Sequence, residues 1–336
     1  MKTSVIDLGH KRSTAELRQV LATAFSQDEP TLVIISTSGS AGITKRVQLS
    51  TTAIATSADL SNFVVGAKSG DIWSLLLPTD HIAGVNVLAR AIKLGTEVVS
   101  ENQRANFTAI VPTQLHRALT GDTNLLNHLR NCKAVLVGGS AISPTTLAAA
   151  RNQGINAITT YGMTETSGGC VYNNMPLPGV SVAISSTGLL KVKGDVLAQG
   201  YENQEALWAE NFDDGWFTTS DIGEVRDGQV FITGRADDVI ISGGINISLI
   251  AIENELVANF PEVNFLALSI PDAEWGAKLC LIADKEIDQV QVSEILHNKL
   301  GRESVPKDFL HSIEIPQLGI GKPDRVKAAE LFQGKP

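Results

Sequence analysis

Hydrophobic positions in the first 160 residues follow two periods, one typical of amphipathic helices and one typical of buried strands. Leu17, Val20, Leu21 and Phe25 fall on one helical face and predict a helix over 11–30. Short β-branched runs predict strands. The further predicted helices are 51–65, 114–119 and one from 143, and the predicted strands are 31–35, 72–77, 108–112, 134–137 and 155–160. This alternation predicts an α/β fold.

The pattern changes after residue 179. Residues 179–233 contain short apolar runs separated by tight turns, which predicts a small β subdomain. Helices at 250–258 and 290–300 and strands at 264–270, 279–283 and 309–315 then predict an α+β module. We therefore predict a large N-terminal domain of layered α/β sheets over 1–234, which includes the β subdomain, and a small α+β domain over 235–336.

Composition narrows the function classes. The 336-residue chain is long enough for two domains, and 43% apolar residues can fill ordinary cores. A net charge of −9 without a basic run argues against a nucleic-acid partner. No signal peptide and no apolar run of membrane-spanning length is evident, so we expect a soluble cytoplasmic protein without membrane insertion. Three scattered cysteines argue against a disulfide framework and paired metal ligands.

The stretch 36–45 has the composition of a phosphate-binding loop and follows the predicted strand at 31–35. Gly39 and Gly42 allow consecutive amide N–H groups to point into one concavity, and Lys45 adds a positive charge. Further donors are the hydroxyls of Thr37, Ser38, Ser40 and Thr44. The glycine spacing differs from that of the common mononucleotide loop. On this stretch alone, a phosphate site and a flexible connection between strands are equally compatible with the sequence.

Polar groups also follow other predicted strands, where open α/β sheets place their ligand crevices. His81 stands after the strand at 72–77, although a lone histidine is more often structural. Gly138 and Gly139, followed by Ser140, come after the strand at 134–137 and leave room for a flat ligand to approach the backbone. These residues are candidates for the same crevice.

The segment 161–169 is a second candidate centre, because it combines an aromatic ring, hydroxyls, a carboxylate and glycines. A helix-like turn here would place Thr164 and Glu165 over the same crevice as the 36–45 loop. Glu165 would then suit Mg²⁺, a hard ion that prefers carboxylate and phosphate oxygens. The structural alternative makes Glu165 a solvated surface charge and Tyr161 a core ring.

Three later stretches carry further candidates. Asp221 can accept hydrogen bonds from two adjacent hydroxyls, as on a ribose. The stretch 234–244 has charges and glycines around an apolar core, beginning with Gly-Arg and ending with two glycines. Besides a functional role, this pattern fits a hairpin or a domain linker. Lys322 lies in a glycine-flanked loop, where an exposed lysine is usually only solvated.

Taken in order, these stretches resemble the acyl-adenylate-forming superfamily of acyl-CoA synthetases, non-ribosomal peptide adenylation domains and luciferases. The resemblance covers residues from about 32 to 327. The matching motifs are the Thr-Ser-Gly loop ending in Lys45, Tyr-Gly-Met-Thr-Glu at 161–165, Thr-Ser-Asp ending at Asp221, Gly-Arg-Ala-Asp-Asp at 234–238 and Gly-Lys-Pro-Asp-Arg at 321–325. The resemblance implies a mobile C-terminal domain and a hinge at about 235–238, at Asp237.

Within the superfamily, four stretches are similar to the o-succinylbenzoate–CoA ligases of menaquinone biosynthesis, especially their shortened actinobacterial form. These stretches are 77–84, 111–115, 138–142 and 165–172. Residues 1–30 stand where most members carry a far longer region, so we expect a subdomain to be missing. Ala41, Thr44 and Ile241 depart from the usual residues, but none of them removes a group that the chemistry requires.

The resemblance implies a two-step reaction that uses ATP, Mg²⁺, CoA and a small carboxylic acid. The acid attacks the α-phosphate to give an acyl-adenylate and pyrophosphate, and the CoA thiol then displaces AMP. Lys322 is the implied catalytic residue, and Glu165 the implied metal ligand. The implied ATP-binding residues are Thr37, Ser38, Gly39, Ser40, Gly42, Lys45, Gly138, Gly139, Ser140, Tyr161, Gly162, Thr164, Asp221 and Arg235.

The resemblance also implies an acid pocket and a CoA tunnel. The pocket residues are His81, Thr160, Gly168 and Gly169, and the tunnel residues are Ser242, Gly243 and Gly244. o-Succinylbenzoate has a second carboxylate, for which no arginine clamp is evident in the sequence. We expect His81 or a bound water to serve instead.

Two other functions stay open at this stage, and the sequence predicts no oligomeric state. One is a CoA ligase for another aromatic or medium-chain acid, with a different pocket around the same machinery. The other is a non-catalytic AMP-binding protein, which the short N-terminal region leaves possible. Intact Lys322, Glu165, Asp221 and Arg235 argue against a non-catalytic protein.

Overall fold

The computed structural model describes residues 4–9, 12–29, 31–38, 44–242, 244–317 and 323–333. The chain divides into two compact units, Met1–Thr219 with Gly223–Phe231, and Ser220–Ile222 with Ile232–Pro336. The α/β class predicted from the sequence is confirmed. The predicted boundary at residue 234 and the hinge at 235–238 stay predictions.

The described part of the chain contains helices, strands and three short 3₁₀ turns at 164–166, 236–238 and 302–304. The helices are α1 (Thr14–Phe25), α2 (Thr51–Val64), α3 (Ile82–Lys93), α4 (Pro112–Leu119), α5 (Thr123–Asn131), α6 (Pro144–Asn152), α7 (Glu205–Asn211), α8 (Leu249–Asn259), α9 (Gln289–Leu300) and α10 (Arg325–Gln333). The first strands are β1 (Val5–Asp7), β2 (Leu32–Ser38), β3 (Thr44–Ser50), β4 (Trp73–Ser74), β5 (Phe107–Ile110), β6 (Ala134–Val137), β7 (Ala157–Met163), β8 (Gly168–Tyr172), β9 (Met175–Pro176) and β10 (Ser181–Ile184). The later strands are β11 (Leu189–Lys193), β12 (Gly200–Tyr201), β13 (Phe212–Asp213), β14 (Trp216–Arg226), β15 (Gln229–Arg235), β16 (Val239–Ser242), β17 (Ile245–Ser248), β18 (Phe265–Asp272), β19 (Gly276–Ala283) and β20 (Asp308–His311).

A six-stranded sheet in the order β4-β5-β6-β7-β8-β9 forms the centre of the first unit. Strands β4 to β7 are parallel, and β8 and β9 continue the sheet in antiparallel fashion. Strands β5 and β6 are buried along their whole length, which explains their continuous apolar sequences. Because β4 to β7 run in the same direction, their carboxyl ends lie along one edge of this sheet.

A second sheet in the first unit has the order β1-β2-β3-β12. Strand β2 continues to Ser38, three residues beyond the predicted strand at 31–35, because Ser36, Thr37 and Ser38 pair with Arg46, Lys45 and Thr44 of β3. The ends of the predicted phosphate loop are thus strand residues.

Several other predicted boundaries differ from the structure, and two of them have a direct explanation. Helix α1 is shorter than the predicted 11–30, because the Ser13 hydroxyl caps its start in a capping box with Glu16 and the helix ends at Phe25. Strand β4 covers only Trp73–Ser74 of the predicted 72–77, because the ladder to β5 joins only those two residues.

The short strands predicted after residue 179 form a five-stranded sheet, with the order β10-β11-β14-β13 and β15 paired to β14. Strands β14 and β15 contribute residues to both units. The second unit also contains the hairpin β16-β17 and the sheet β18-β19-β20. Helices α8 and α9 cover one apolar cluster around that sheet, and α10 covers another. Among the described residues, no helix is long and apolar enough to cross a bilayer.

Candidate active site

The carboxyl edge of the parallel strands carries most of the predicted crevice residues of the first unit. His81 follows β4 and precedes α3, Gly138 follows β6, and Thr160 lies in β7. Gly138 approaches β7 so closely that a Cβ atom at position 138 would lie 2.2 Å from Thr160 Oγ1. A Cβ atom at Gly169 would likewise lie 3.3 Å from Thr160 Cβ. The structure therefore brings Thr160, Gly138 and Gly169 together.

Tyr172 extends this cluster towards a buried arginine that the sequence interpretation missed. A Cβ atom at Gly169 would lie 2.9 Å from Tyr172 Cε1. The Tyr172 hydroxyl accepts a hydrogen bond from Arg90 Nη2 at 3.2 Å and lies 2.8 Å from Ser61 Oγ. Arg90 belongs to α3 and is 4% exposed.

Arg90 has an unusual environment for a buried cation. Its guanidinium lies over the Trp73 ring, 4.9 Å from the centroid, and its Nε has no hydrogen-bond partner among the described residues. No carboxylate in the described part of the chain forms an ion pair with it. The signal that could have identified Arg90 is a guanidinium inside an otherwise apolar helix face.

His81 is less closely tied to the cluster. It occupies the N-cap position of α3 without a capping hydrogen bond, and its Nε2 lies 3.7 Å from Asp80 Oδ1. Its side chain is 33% exposed. The predicted alternatives for His81, a structural residue or a pocket residue, thus stay open.

The predicted helix-like turn after β7 is present as a 3₁₀ turn at Thr164–Thr166. Gly162 lets β7 and β8 approach, since a Cβ atom there would lie 2.0 Å from the Gly168 carbonyl oxygen. Thr166 Oγ1 accepts from the Met163 N–H and donates to the Gly168 carbonyl, which closes the turn. The turn residues, including Thr164 and Glu165, are buried. Glu165 is therefore not the solvated surface charge of the structural alternative.

Glu165 has a hydrogen-bond partner that sequence reasoning missed. The Tyr201 hydroxyl donates to Glu165 Oε1 at 2.8 Å, and the Ala198 N–H donates to the Glu165 carbonyl at the same distance. Burial, reinforced by the Glu165 charge, raises the pKa of Tyr201, so the phenol stays a donor. The ammonium of Lys45 lies over the Tyr201 ring, 5.1 Å from the centroid. Lys45, Tyr201 and Glu165 thus form a continuous row.

Thr37 and Ser38 lie opposite Lys45 and Thr44 in the β2-β3 pairing. Gly39, Ser40 and Gly42 of the same predicted loop lie outside the described residues. Tyr161 packs against the main core cluster of the first unit and is half-buried. Gly139 has a left-handed backbone, with φ of +92°, and is followed by exposed Ser140.

In the second unit, Asp221 and Arg235 form the predicted pair. Arg235 Nη1 lies 3.0 Å from Asp221 Oδ1, and Arg235 Nη2 donates to Ser220 Oγ at 3.0 Å. Asp221 is 5% exposed. Ionised carboxylates accept several hydrogen bonds, so this contact is compatible with further donors such as ribose hydroxyls.

The other predicted residues of the second unit are only partly described. Ser242 is buried at the end of β16, and Gly244 has φ of +82°. The Asp237 backbone lies in the 236–238 turn, while its side chain is outside the description. Gly243 and Lys322 lie outside the described residues.

Arg325, which ends the Gly-Lys-Pro-Asp-Arg motif, is the centre of a charged cluster that was not predicted. It contacts Asp238 Oδ1 at 3.1 Å and Glu253 Oε1 at 2.9 Å, and its Nε donates to the Ala267 carbonyl at 3.0 Å. Burial raises the pKa of Glu253 to about 7, against the opposing effect of Arg325. The cluster joins the starts of α10 and β18 to α8 and to the 236–238 turn; we call it the Arg325 cluster.

The chain belongs to the family of AMP-binding enzymes, whose model matches residues 5–197. The predicted fold and enzyme class, an AMP-forming acid–thiol ligase, are thereby confirmed, and ligases of this class use ATP and CoA.

Individual relatives narrow the comparison. A probable 2-succinylbenzoate–CoA ligase of Mycobacterium tuberculosis is 32% identical, over 92% of this chain and 86% of that protein. A 2-succinylbenzoate–CoA ligase of Lactococcus lactis subsp. lactis is 29% identical, over 88% and 70%. The structure of wild-type E. coli MenE with a bound analogue of OSB-AMS has a TM-score of 0.70 and 28% identity, over 90% and 70%. The predicted resemblance to this group of ligases is confirmed.

Proposed function

We propose that this chain is a 2-succinylbenzoate–CoA ligase, which activates the acid (also called o-succinylbenzoate) with ATP and transfers it to CoA for menaquinone biosynthesis. The observation that carries the proposal is the buried Arg90 beside the Thr160–Gly169–Tyr172 cluster. The sequence relatives named 2-succinylbenzoate–CoA ligase support it. A cytoplasmic location belongs to the same proposal.

Arg90 supplies what the sequence interpretation lacked, a positive charge for the second carboxylate. Burying a cation is costly unless an anion or several hydrogen bonds compensate it. Tyr172 occupies Nη2 of the guanidinium, and Nε has no partner among the described residues. A ring carboxylate bound beside this guanidinium would pair with it. His81 then lines the entrance rather than binding the carboxylate.

Adenylation brings two anions together, so the protein contributes mainly positioning and charge stabilisation. Lys322 is proposed to lie between the acid and the α-phosphate and to neutralise the charge that develops on the bridging oxygens. Thr164 would bind the α-phosphate, and the 36–45 stretch the β- and γ-phosphates. Tyr161 and the Gly138–Gly139 edge would flank adenine, while Asp221 and Arg235 would bind the ribose.

The donor set fits Mg²⁺. No three His, Cys, Asp or Glu side chains of the described residues come together as a metal site. A single carboxylate is what Mg²⁺ requires from a protein when phosphate oxygens and water complete its shell. Glu165 offers this carboxylate, oriented by Tyr201. When bound, the ion would stabilise the leaving pyrophosphate.

For the second step, the second unit is proposed to rotate about Asp237. This rotation would withdraw Lys322 and bring Ser242, Gly243 and Gly244 to the CoA pantetheine arm, for which glycines leave space. One orientation of the second unit would then serve the formation of the acyl-adenylate, and the other would serve its reaction with CoA.

Mass spectrometry of a reaction with ATP, Mg²⁺, CoA and a panel of acids tests the proposal. We expect a CoA thioester mainly from 2-succinylbenzoate, and much less from 4-oxo-4-phenylbutanoate, which lacks the ring carboxylate. A thioester chiefly from another acid would retain the mechanism and reject the substrate. AMP binding without any thioester would favour the non-catalytic alternative.

The role of Lys322 is tested by Lys322→Ala. Adenylation should fall by a factor of about 100 or more, since a charge at the reacting phosphate is lost, while thioester formation from supplied acyl-adenylate should stay near wild type. The two rates are measured separately by pyrophosphate release and by thioester yield. Equal loss of both would reject the role.

A further inference from the structure

We propose that Ser57 and Asn86 are positioning residues for nucleotide binding, because two helices use them to hold the turn that carries Thr164 and Glu165. This inference rests on the proposed function through the roles of those two turn residues. Neither Ser57 nor Asn86 belongs to any motif that the sequence singled out.

Both side chains donate to the same atom, the carbonyl oxygen of Ser167. Ser57 Oγ, on α2, donates at 2.9 Å, and Asn86 Nδ2, on α3, donates at 2.6 Å. All three residues are at most 1% exposed. A carbonyl oxygen has two lone pairs, so both acceptor positions are occupied and the direction of the carbonyl is fixed.

The Ser167 backbone needs such support. Its φ is +50°, a left-handed conformation that costs a non-glycine residue free energy unless its surroundings hold it there. The Ser167 N–H donates back to the Thr164 carbonyl at 3.0 Å. A fixed Ser167 therefore fixes the other end of the turn, where Thr164 and Glu165 lie.

The two helices and Tyr201 hold different residues of the turn. Tyr201 and Ala198 form hydrogen bonds to Glu165 directly, whereas Ser57 and Asn86 donate to Ser167, the residue that ends the turn. Asn86 Oδ1 and Ser167 Oγ form no hydrogen bond in the described part of the chain. The contact to the turn from α2 and α3 is thus concentrated on the Ser167 carbonyl.

Gly168 indicates that the approach of Asn86 is a specific feature of this site. A Cβ atom at position 168 would lie 2.0 Å from Asn86 Nδ2, and the residue has φ of +93°. Glycine at this position leaves space for the Asn86 amide, in addition to any role in the acid pocket.

The test uses variants that remove one donor and keep the packing: Ser57→Ala and Asn86→Leu. The affinity for MgATP is measured directly by titration calorimetry, and KM values for MgATP and for the acid come from pyrophosphate release. We expect each variant to weaken MgATP binding by about five- to tenfold, because binding must then supply the free energy of ordering the turn that one hydrogen bond supplied before, with less than a twofold change in acid KM. Ser57→Cys, which keeps the size and a weak donor, should lose less.

The double variant and a neighbouring control sharpen the test. Removing both donors leaves a buried carbonyl unsatisfied, so the double variant should lose more than the sum of the single effects. Ser61→Ala removes a hydrogen bond from the same helix that leads to Tyr172 and Arg90, and should raise acid KM instead. Weaker MgATP binding in the Ser57 and Asn86 variants, with a raised acid KM only in Ser61→Ala, would separate the nucleotide-binding part of the site from the acid-binding part.

Three outcomes would overturn the inference. One is a lower melting temperature with unchanged MgATP affinity, which defines a merely structural role. The second is a parallel rise of both KM values. The third is Ser57→Cys behaving like Ser57→Ala. Because MgATP binding is measured without turnover, wild-type protein that binds MgATP but forms no thioester would reject only the proposed function. Wild-type protein that binds no MgATP would reject both.

Discussion

The turn at 164–168 of the first unit and the Arg325 cluster of the second unit both contain residues of family motifs. Different kinds of interaction hold the two regions in place. The turn is held mainly by neutral hydrogen bonds and by glycines that admit neighbouring atoms. In the Arg325 cluster, one guanidinium contacts two carboxylates, Asp238 and Glu253. Neutral contacts depend on shape, whereas ionic contacts depend on charge and pH. The two regions should therefore respond to different perturbations.

The largest effect is expected when the cluster loses its cation. Arg325→Ala removes the cation that contacts both Asp238, which is 7% exposed, and Glu253. We expect the second unit to lose about 3 kcal/mol of unfolding free energy, the lower end for a broken buried ion pair, because the Arg325 side chain is 27% exposed. Hydrogen exchange of the β18 and β19 amides measures this loss.

The matched control for Arg325 is an exposed pair of the first unit, Lys93 and Asp59, whose atoms lie 2.8 Å apart. Lys93→Ala should cost less than about 1 kcal/mol. Similar losses from both variants would show that the cluster behaves as an ordinary surface ion pair.

A steric change should disrupt the turn almost as strongly. Gly168→Ala places a Cβ atom 2.0 Å from Asn86 Nδ2 at a residue with φ of +93°, and we expect a loss of about 2 to 3 kcal/mol of unfolding free energy. Gly154 also has a positive φ, of +81°, but no atom within 4 Å of the added Cβ. Gly154→Ala should therefore cost only about 1 kcal/mol. Urea denaturation compares the two, and equal costs would rule out the steric contribution.

A change of pH should affect the cluster and spare the turn. The pKa of Glu253 is raised to about 7 from 4.5. Between these two pH values, the folded state therefore keeps a proton on Glu253 that the unfolded state has released. The contribution of Glu253 protonation to the free energy of unfolding is complete below about pH 4.5 and is lost as the pH rises through 7. Relative to Glu253→Gln, the wild-type second unit should lose stability over this range. A pH-independent difference, measured by hydrogen exchange, would contradict the raised pKa.

The smallest effect is expected from Tyr201→Phe, which removes one hydrogen bond to the Glu165 carboxylate. We expect about 1 kcal/mol of lost unfolding free energy and a rise of about fivefold in the KM for MgATP. Trp208 packs edge-on against the Tyr201 ring, 5.2 Å away, so the ring should stay in place. An unchanged KM would show that Tyr201 does not orient Glu165 for the nucleotide.

The alternation of helix and strand patterns predicted the α/β fold, because periodicity is a local property, and the resemblance of five motifs to the acyl-adenylate-forming superfamily implied the enzyme class. The turn at 164–166 was also predictable, since Thr, Glu and flanking glycines follow a strand. Element ends were predicted less well. Strand β2 gains three residues from its pairing with β3, a contact between residues that are apart in sequence.

The partners of the predicted residues were not predictable in the same way. Tyr201 lies 36 positions from Glu165, and Asn86 lies 81 positions from Ser167. Periodicity places Asn86 and Arg90 on a helix, but it does not show which buried atoms they meet. The apolar helix face around Arg90 indicates that this residue is buried, but no pattern of spacing identifies the atoms that Arg90 and Asn86 contact.

By itself, the sequence determined which chemical groups the protein has and along which elements they lie, because propensity, periodicity and motif order are local properties. Only the tertiary structure decided which groups meet. The neighbouring strands β7 and β8 and two packed helices gather Thr160, Tyr172 and Arg90, and the same helices supply both donors to the Ser167 carbonyl. The physical reason is that hydrogen bonds and ion pairs act over a few ångströms, a distance set by packing rather than by separation along the chain.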